Sequence, residues 1–337
     1  FVEGLMAGVG APARLMRITG PRGSGKTVLL CDLRDRAIEL GWKAVVVSAG
    51  PRLSHDLMEQ IQDQLTFSSA SLGVNVGIAS AKLDISSSEM SLRAKLKQIA
   101  QGSKGLFIAV DEVQDAPVEE MRIIASTVQL LIGEKVNIAL AFAGLPSGVM
   151  DLINGKALTF LRRAVPEDLA PINQIEIALS LSDSFNATGL SLDGDLLSRA
   201  ARATKGYAYL VQLVGYSIWQ RANLHREKST LVTGRDVDEG ILLAEARFHD
   251  VVHEPAISGL SRNEINYLYA MCEDSRQSKT SDLAKRLGKK TSELSSVRAK
   301  LLSREVIQAP QRGYVQFAVP DLDEYLKDNR DEILSRY

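Results

Sequence analysis

The chain has little cysteine: Cys31 and Cys272 are the two thiols in 337 residues, and they lie far apart. Two scattered thiols build neither a disulfide framework nor a zinc knuckle, and they fit a reducing, cytoplasmic compartment. Long apolar runs are missing as well. No uninterrupted stretch reaches the roughly 20 residues that span a bilayer, and no signal peptide is seen, so no membrane partner is expected. Charge of one sign is also lacking: forty Lys and Arg face forty-one Asp and Glu, for a formal net charge of −1. Composition therefore announces no nucleic-acid binder, and any such surface has to be local. Histidine is scarce. His249 and His253 stand at i, i+4 as in a metal-binding helix, but no third ligand is evident and Pro255 limits the helix, so the segment reads as a linker. The chain opens on Phe1 rather than methionine, so residues ahead of it are expected in the natural protein.

What is present is ordinary for a soluble globular protein: 45% hydrophobic and 24% charged residues, in a length that implies two or three domains. In the first half, short aliphatic runs alternate with helical patterns. Leu15 to Thr19, Lys43 to Ser48, Leu106 to Val110 and Val136 to Ala143 read as strands, with Ile175 to Leu179 as a fifth. Thr27 to Leu40, Leu53 to Leu65 and Val118 to Leu131 read as helices between them. Near-continuous apolar strands separated by helices predict an α/β fold, a parallel sheet with helices on both faces. The Ser- and Gly-rich stretch 67–88 reads either as an extended hairpin or as a surface insertion. From Leu181 to Phe248 the pattern is helical, and from Pro255 three helices precede two short strands around Pro310-Gln311-Arg312-Gly313, the order of a winged helix-turn-helix. The expected division is 1–180, 181–254 and 255–337.

The chemistry concentrates in Gly20-Pro21-Arg22-Gly23-Ser24-Gly25-Lys26-Thr27. This matches G-x-x-x-x-G-K-[ST] between a strand and a helix, the context the motif requires. Glycines let successive N–H groups turn into one concavity, and the helix N-terminus adds partial positive charge, so the segment is an anion cradle. Lys26 is expected on the β- and γ-phosphates of ATP, and the Thr27 hydroxyl on Mg²⁺. The strand ending in Asp111-Glu112 delivers two carboxylates to the same sheet edge, Asp111 for the Mg²⁺ shell and Glu112 to polarise the attacking water.

Together, Gly20 to Leu30, Val110-Asp111-Glu112-Val113-Gln114-Asp115, the strand ending Phe142-Ala143-Gly144-Leu145-Pro146, and Phe160-Leu161-Arg162-Arg163 ahead of Leu169-Ala170-Pro171 resemble an AAA+ P-loop ATPase. The similar group holds the archaeal-type ATPases and the origin-recognition and cell-division-control initiators. The resemblance implies a P-loop NTPase core, a helical lid and a winged helix. It also implies an arginine finger at Arg163, or at Arg162 as second choice, acting on ATP from a neighbouring copy in a homo-oligomer. Ser147 lies near the family's polar sensor position, but Gly144-Leu145-Pro146 replaces the usual Asn, Ser or Thr. In the lid, Gly206-Tyr207-Ala208-Tyr209 stands where initiators often carry Gly-Asp-Ala-Arg, which is closer to the Gly-x-Pro of STAND ATPases and implies a slow switch.

Between Arg276 and Arg312 ten basic residues meet three acids. A local basic patch on a winged helix is the footprint expected for double-stranded DNA. Lys289, Lys290, Ser292, Ser295, Arg298 and Arg312 are the candidate contacts, suited to phosphates more than to bases. Two functions stay open: an ATPase that couples nucleotide to DNA, and a STAND-like signalling or remodelling ATPase whose winged helix meets a protein.

Overall fold

A computed structural model describes residues 1–70, 85–227 and 229–336. It divides into two compact units, residues 1–20 with 25–169, and residues 21–24 with 170–337.

In the first unit the elements run α1 (Val2–Ala7), β1 (Leu15–Thr19), α2 (Lys26–Glu39), β2 (Lys43–Ser48), α3 (Leu53–Ala70), α4 (Ile85–Gln101), β3 (Leu106–Asp111), α5 (Val118–Gly133), β4 (Ile138–Gly144), α6 (Pro146–Asn154) and β5 (Val165–Asp168). Among the described residues, five strands form one sheet in the order β2-β3-β4-β1-β5, and every pairing is parallel. The alternation along β3 and β4 shows why both faces need cover. Leu106, Ile108, Val110, Ile138, Leu140 and Phe142 pack with α3 to α6, whereas Phe107, Ala109, Ala139, Ala141 and Ala143 pack with Leu30, Leu33 and Ala37 of α2. The alanines on that face let α2 pack against the sheet through Leu30, Leu33 and Ala37.

One expectation is corrected. Ile175 to Leu179 is not a strand but the start of α7 (Gln174–Ala187), and the fifth strand is Val165–Asp168. Asn173 caps α7 by accepting the Ile175 N–H (2.8 Å), and burial falls on Ile177, Leu181 and Phe185, the helical period. Ile175 and Leu179, which made the run look alternating, are 70% and 62% exposed. Residues 170–180 therefore belong with the helices that follow, not with the sheet. The stretch 67–88 has helical ends in α3 and α4, and its centre, 71–84, with the hairpin or insertion expected there, lies outside the described residues.

The second unit continues with α8 (Gly194–Ala203), α9 (Ala208–Asn223), α10 (Gly234–Phe248), a π turn (His249–His253), α11 (Glu254–Ile257), α12 (Arg262–Met271), β6 (Ser278–Lys279), α13 (Thr280–Arg286), α14 (Ser295–Ser303), β7 (Ile307–Gln308), β8 (Tyr314–Phe317), α15 (Leu322–Asp328) and α16 (Arg330–Ser335). It holds two main cores. One joins α7 to α10 through residues such as Ile177, Leu181, Val214 and Ile218; the other joins α12 to α16 with the antiparallel sheet β6-β8-β7 through Tyr267, Leu283, Leu301, Val315 and Leu326. No helix among the described residues is long and apolar enough to cross a membrane, and Cys31 and Cys272 are both free.

Candidate functional site

The segment from Gly20 to Thr27 joins β1 to α2, and its backbone explains its glycines. Gly23 and Gly25 have φ of 73° and 94°, the left-handed region that side chains resist. Ser24 N–H closes a tight turn on Pro21 O (3.2 Å), and Leu29 N–H bonds Gly25 O (2.9 Å) to open the helix. Lys26, 4% exposed, folds back so that Nζ donates to Gly20 O at 3.0 Å. The Ser24 hydroxyl is buried without a partner among the described residues. A buried ammonium, an orphaned hydroxyl and a helix N-terminus around one turn fit a bound phosphate chain.

β3 brings the carboxylates to this edge. The Thr27 hydroxyl donates to Asp111 Oδ2 at 2.5 Å, and Asp111 Oδ1 accepts the Glu112 N–H at 2.9 Å. Two hard oxygen donors meeting beside a phosphate cradle suit Mg²⁺. Glu112 follows with φ of 53°, a left-handed conformation in a non-glycine residue, the kind of strain that gathers at functional sites. Lys26, Thr27, Asp111 and Glu112, separated by up to 86 positions, thus share one sheet edge.

Arg163 is exposed, and no hydrogen bond or ion pair holds it among the described residues. Arg162 is committed: its guanidinium donates to Ile153 O (2.8 Å) and Asn154 O (3.2 Å), capping the end of α6. Gln114, singled out for nothing by its type, bonds both Glu112 and the Leu145 N–H. Its Gly144 and Gly148 neighbours were the available signal, since two glycines flanking a strand end make room for something.

In the second unit, the turn ahead of α9 meets the tip of the glycine-rich segment. The Tyr207 hydroxyl donates to Arg22 O, Tyr209 N–H donates to Gly23 O (3.1 Å), and Arg22 pairs with Glu305 (3.7 Å). Burial pushes the Tyr207 hydroxyl up to about 12, so it remains a donor at every physiological pH.

The basic candidates differ in what holds them. The side chains of Lys290 and Arg312 are exposed and unpaired among the described residues, although the Lys290 N–H donates to Glu293 Oε2 at 2.7 Å. Lys289 Nζ donates to Asn263 Oδ1 (3.2 Å), and Ser295 Oγ donates to Ser292 O (2.6 Å). Arg298 is half-buried with Nε turned inward, and Arg286 is locked by Asp274 (2.6 Å) and Glu273 (3.2 Å). Arg276 and Lys279, beside and in β6, are exposed instead, and Lys279 pairs in register with Tyr314, two residues from Arg312. Sequence spacing favoured the third helix; strand pairing places free positive charge at β6 and the β7–β8 turn. The His249–His253 pair is packed rather than ligating, since His253 Nε2 donates to Pro320 O at 2.7 Å.

Comparison with solved structures finds the same fold in known proteins. A Walker-type ATPase of Pyrococcus abyssi superposes with a TM-score of 0.66 at 15% identity, covering 96% of this chain and 93% of that one. The ORC2 protein of Aeropyrum pernix, solved in ADPNP–ADP complexes, gives 0.66 at 13% identity over 99% and 92%. Cdc6p from Pyrobaculum aerophilum gives 0.51 at 14% identity over 99% and 93%. A family described as a domain of unknown function, DUF8462, matches residues 250–326. No curated protein matches the sequence. The fold is that of the AAA+ P-loop ATPases.

Proposed function

We propose that the chain binds ATP with Mg²⁺ at Gly20–Thr27, hydrolyses it, and uses nucleotide state to govern binding of duplex DNA. One observation carries the nucleotide part: the Thr27 hydroxyl and the Asp111 carboxylate, the two groups that would hold Mg²⁺, lie 2.5 Å apart. When bound, Mg²⁺ offsets phosphate charge. Lys26 adds a cation to the β- and γ-phosphates, and Glu112 orients and polarises the attacking water. Arg163, exposed and unheld, is the free cation of its pair and would act on the ATP of a neighbouring copy. In this reading residues 170–254 form a lid and 255–337 a winged helix, whose DNA contact is supported by the exposed, unpaired side chains of Arg276, Lys279, Lys290 and Arg312.

A second reading, a STAND-like switch that contacts protein, is favoured by the Tyr207 and Tyr209 bonds to Arg22 O and Gly23 O. Those bonds hold the loop tip and suit slow turnover. The nucleotide assignment is tested by calorimetric ATP binding and phosphate release. Lys26→Ala should lose binding, and Glu112→Gln should retain it while hydrolysis falls by roughly 10²-fold or more. Unchanged turnover in either variant overturns its assignment. Activity per molecule that rises with protein concentration supports the finger in trans.

A further inference from the structure

Two hydrogen bonds and two absent Cβ atoms converge on a side chain that Lys26, Thr27, Asp111 and Glu112 leave unexplained. Gln114 sits in the short turn after β3. Its Nε2 donates to Glu112 Oε2, and its Oε1 accepts the Leu145 N–H at 3.1 Å, at the junction of β4 and α6. The partners dictate the amide's orientation, because the flipped amide would set oxygen against carboxylate and N–H against N–H. Space has been cleared for it. A Cβ on Gly144 would lie 2.7 Å from Gln114 Oε1, and one on Gly148 would lie 2.5 Å from Gln114 Cβ. Meanwhile Glu112 stands on a left-handed backbone, with no hydrogen bond to its Oε1 among the described residues.

We infer that Gln114 is the positioning residue for hydrolysis, clamping the Glu112 carboxylate by one oxygen to the end of β4 so that the other oxygen faces the attacking water. The inference rests on the hydrolysis reading above. It assigns the job at a strand end where Gly144-Leu145-Pro146 offers no polar side chain of its own. A carboxylate on a flexible stem loses rate when its orientation is averaged, and a neutral amide donor fixes that orientation while leaving the group an acceptor. Gln114 acts only through Glu112.

The test compares ATP turnover and calorimetric ATP binding in the full chain and in Glu112→Gln, Gln114→Glu and Gln114→Leu variants, with melting temperatures alongside. Gln114→Glu keeps the acceptor for Leu145 N–H and removes the donor to Glu112; Gln114→Leu removes both. Positioning predicts that kcat falls roughly ten- to a hundredfold in both, with the ATP Kd within about twofold of the parent. A merely structural role predicts that Gln114→Leu, which adds no charge beside Glu112, lowers the melting temperature and turns over normally. Normal turnover in either Gln114 variant beside an inactive Glu112→Gln overturns this inference and leaves the hydrolysis reading standing. Normal turnover in Glu112→Gln removes both. Should Gln114→Leu fail to fold, Gln114→Glu decides, being of the same size.

Discussion

At the scale of single residues, burial decides what a polar group can do, and His253 makes this measurable. It is fully buried, edge-on to Phe248 (4.8 Å between centroids) and against Tyr325 (4.9 Å), with Nε2 given to Pro320 O. Nδ1 has no partner among the described residues, so a second proton there has nothing to bind. Burial pushes the imidazole from its ordinary 6.5 down to about 4. Between those values the unfolded chain binds a proton that the folded chain refuses. The sign follows: the contribution is fully present above pH 6.5 and is lost as pH falls toward 4, by about 3 kcal/mol in all. Urea unfolding of the parent and His253→Gln across pH 4–7.5 should show a steeper loss in the parent; parallel curves would refute the assignment.

At the scale of elements, α7 shows how a short apolar run misleads. Ile175, Ile177 and Leu179 alternate as in a strand, yet Ile177, Leu181 and Phe185 also fit a helix. The polar cap at Asn173 and the tertiary core of α7 to α10 decide between them, and only the cap is local. The true fifth strand was illegible for the opposite reason. Val165–Asp168 is an edge strand, mostly exposed and carrying Pro166, so it lacks the apolar signal of β3 and β4. Alanine scanning by denaturant melts separates the two registers. Ile177→Ala and Leu181→Ala should cost about 2–5 kcal/mol, and Ile175→Ala within about 0.5 kcal/mol of nothing. Equal costs at Ile175 and Ile177 would reinstate a strand-like face.

At the scale of the molecule, what was legible was what short spacing encodes. The glycine-rich segment and the Asp111-Glu112 strand end are local patterns with a mechanism attached, and the fold brings both to one sheet edge. Gln114 was not legible, because its role depends on Leu145, 31 positions away, and on two glycines whose purpose is to be empty. Charge was legible as a count but not as a surface: ion pairs and capping bonds withdraw Arg286 and Arg304, while β6 contributes Arg276 and Lys279. The DNA reading therefore makes a collective prediction. Anisotropy of a labelled duplex should rise with protein at low salt, fall steeply with salt, and change between ATP and ADP. Lys279→Ala with Arg312→Ala should lower the salt slope by about 2. No binding at low salt would favour the protein-contacting switch.

The cleared space around Gln114 has a consequence for descent. A side chain at position 144 meets the Gln114 amide oxygen, whereas one at 148 meets Gln114 Cβ, which any residue but glycine at 114 would carry. Positions 114 and 144 are thus one heritable pair: in a lineage they should be retained together or replaced together, and a relative with bulk at 144 should have given up the amide, while Gly148 should persist beside any side chain at 114.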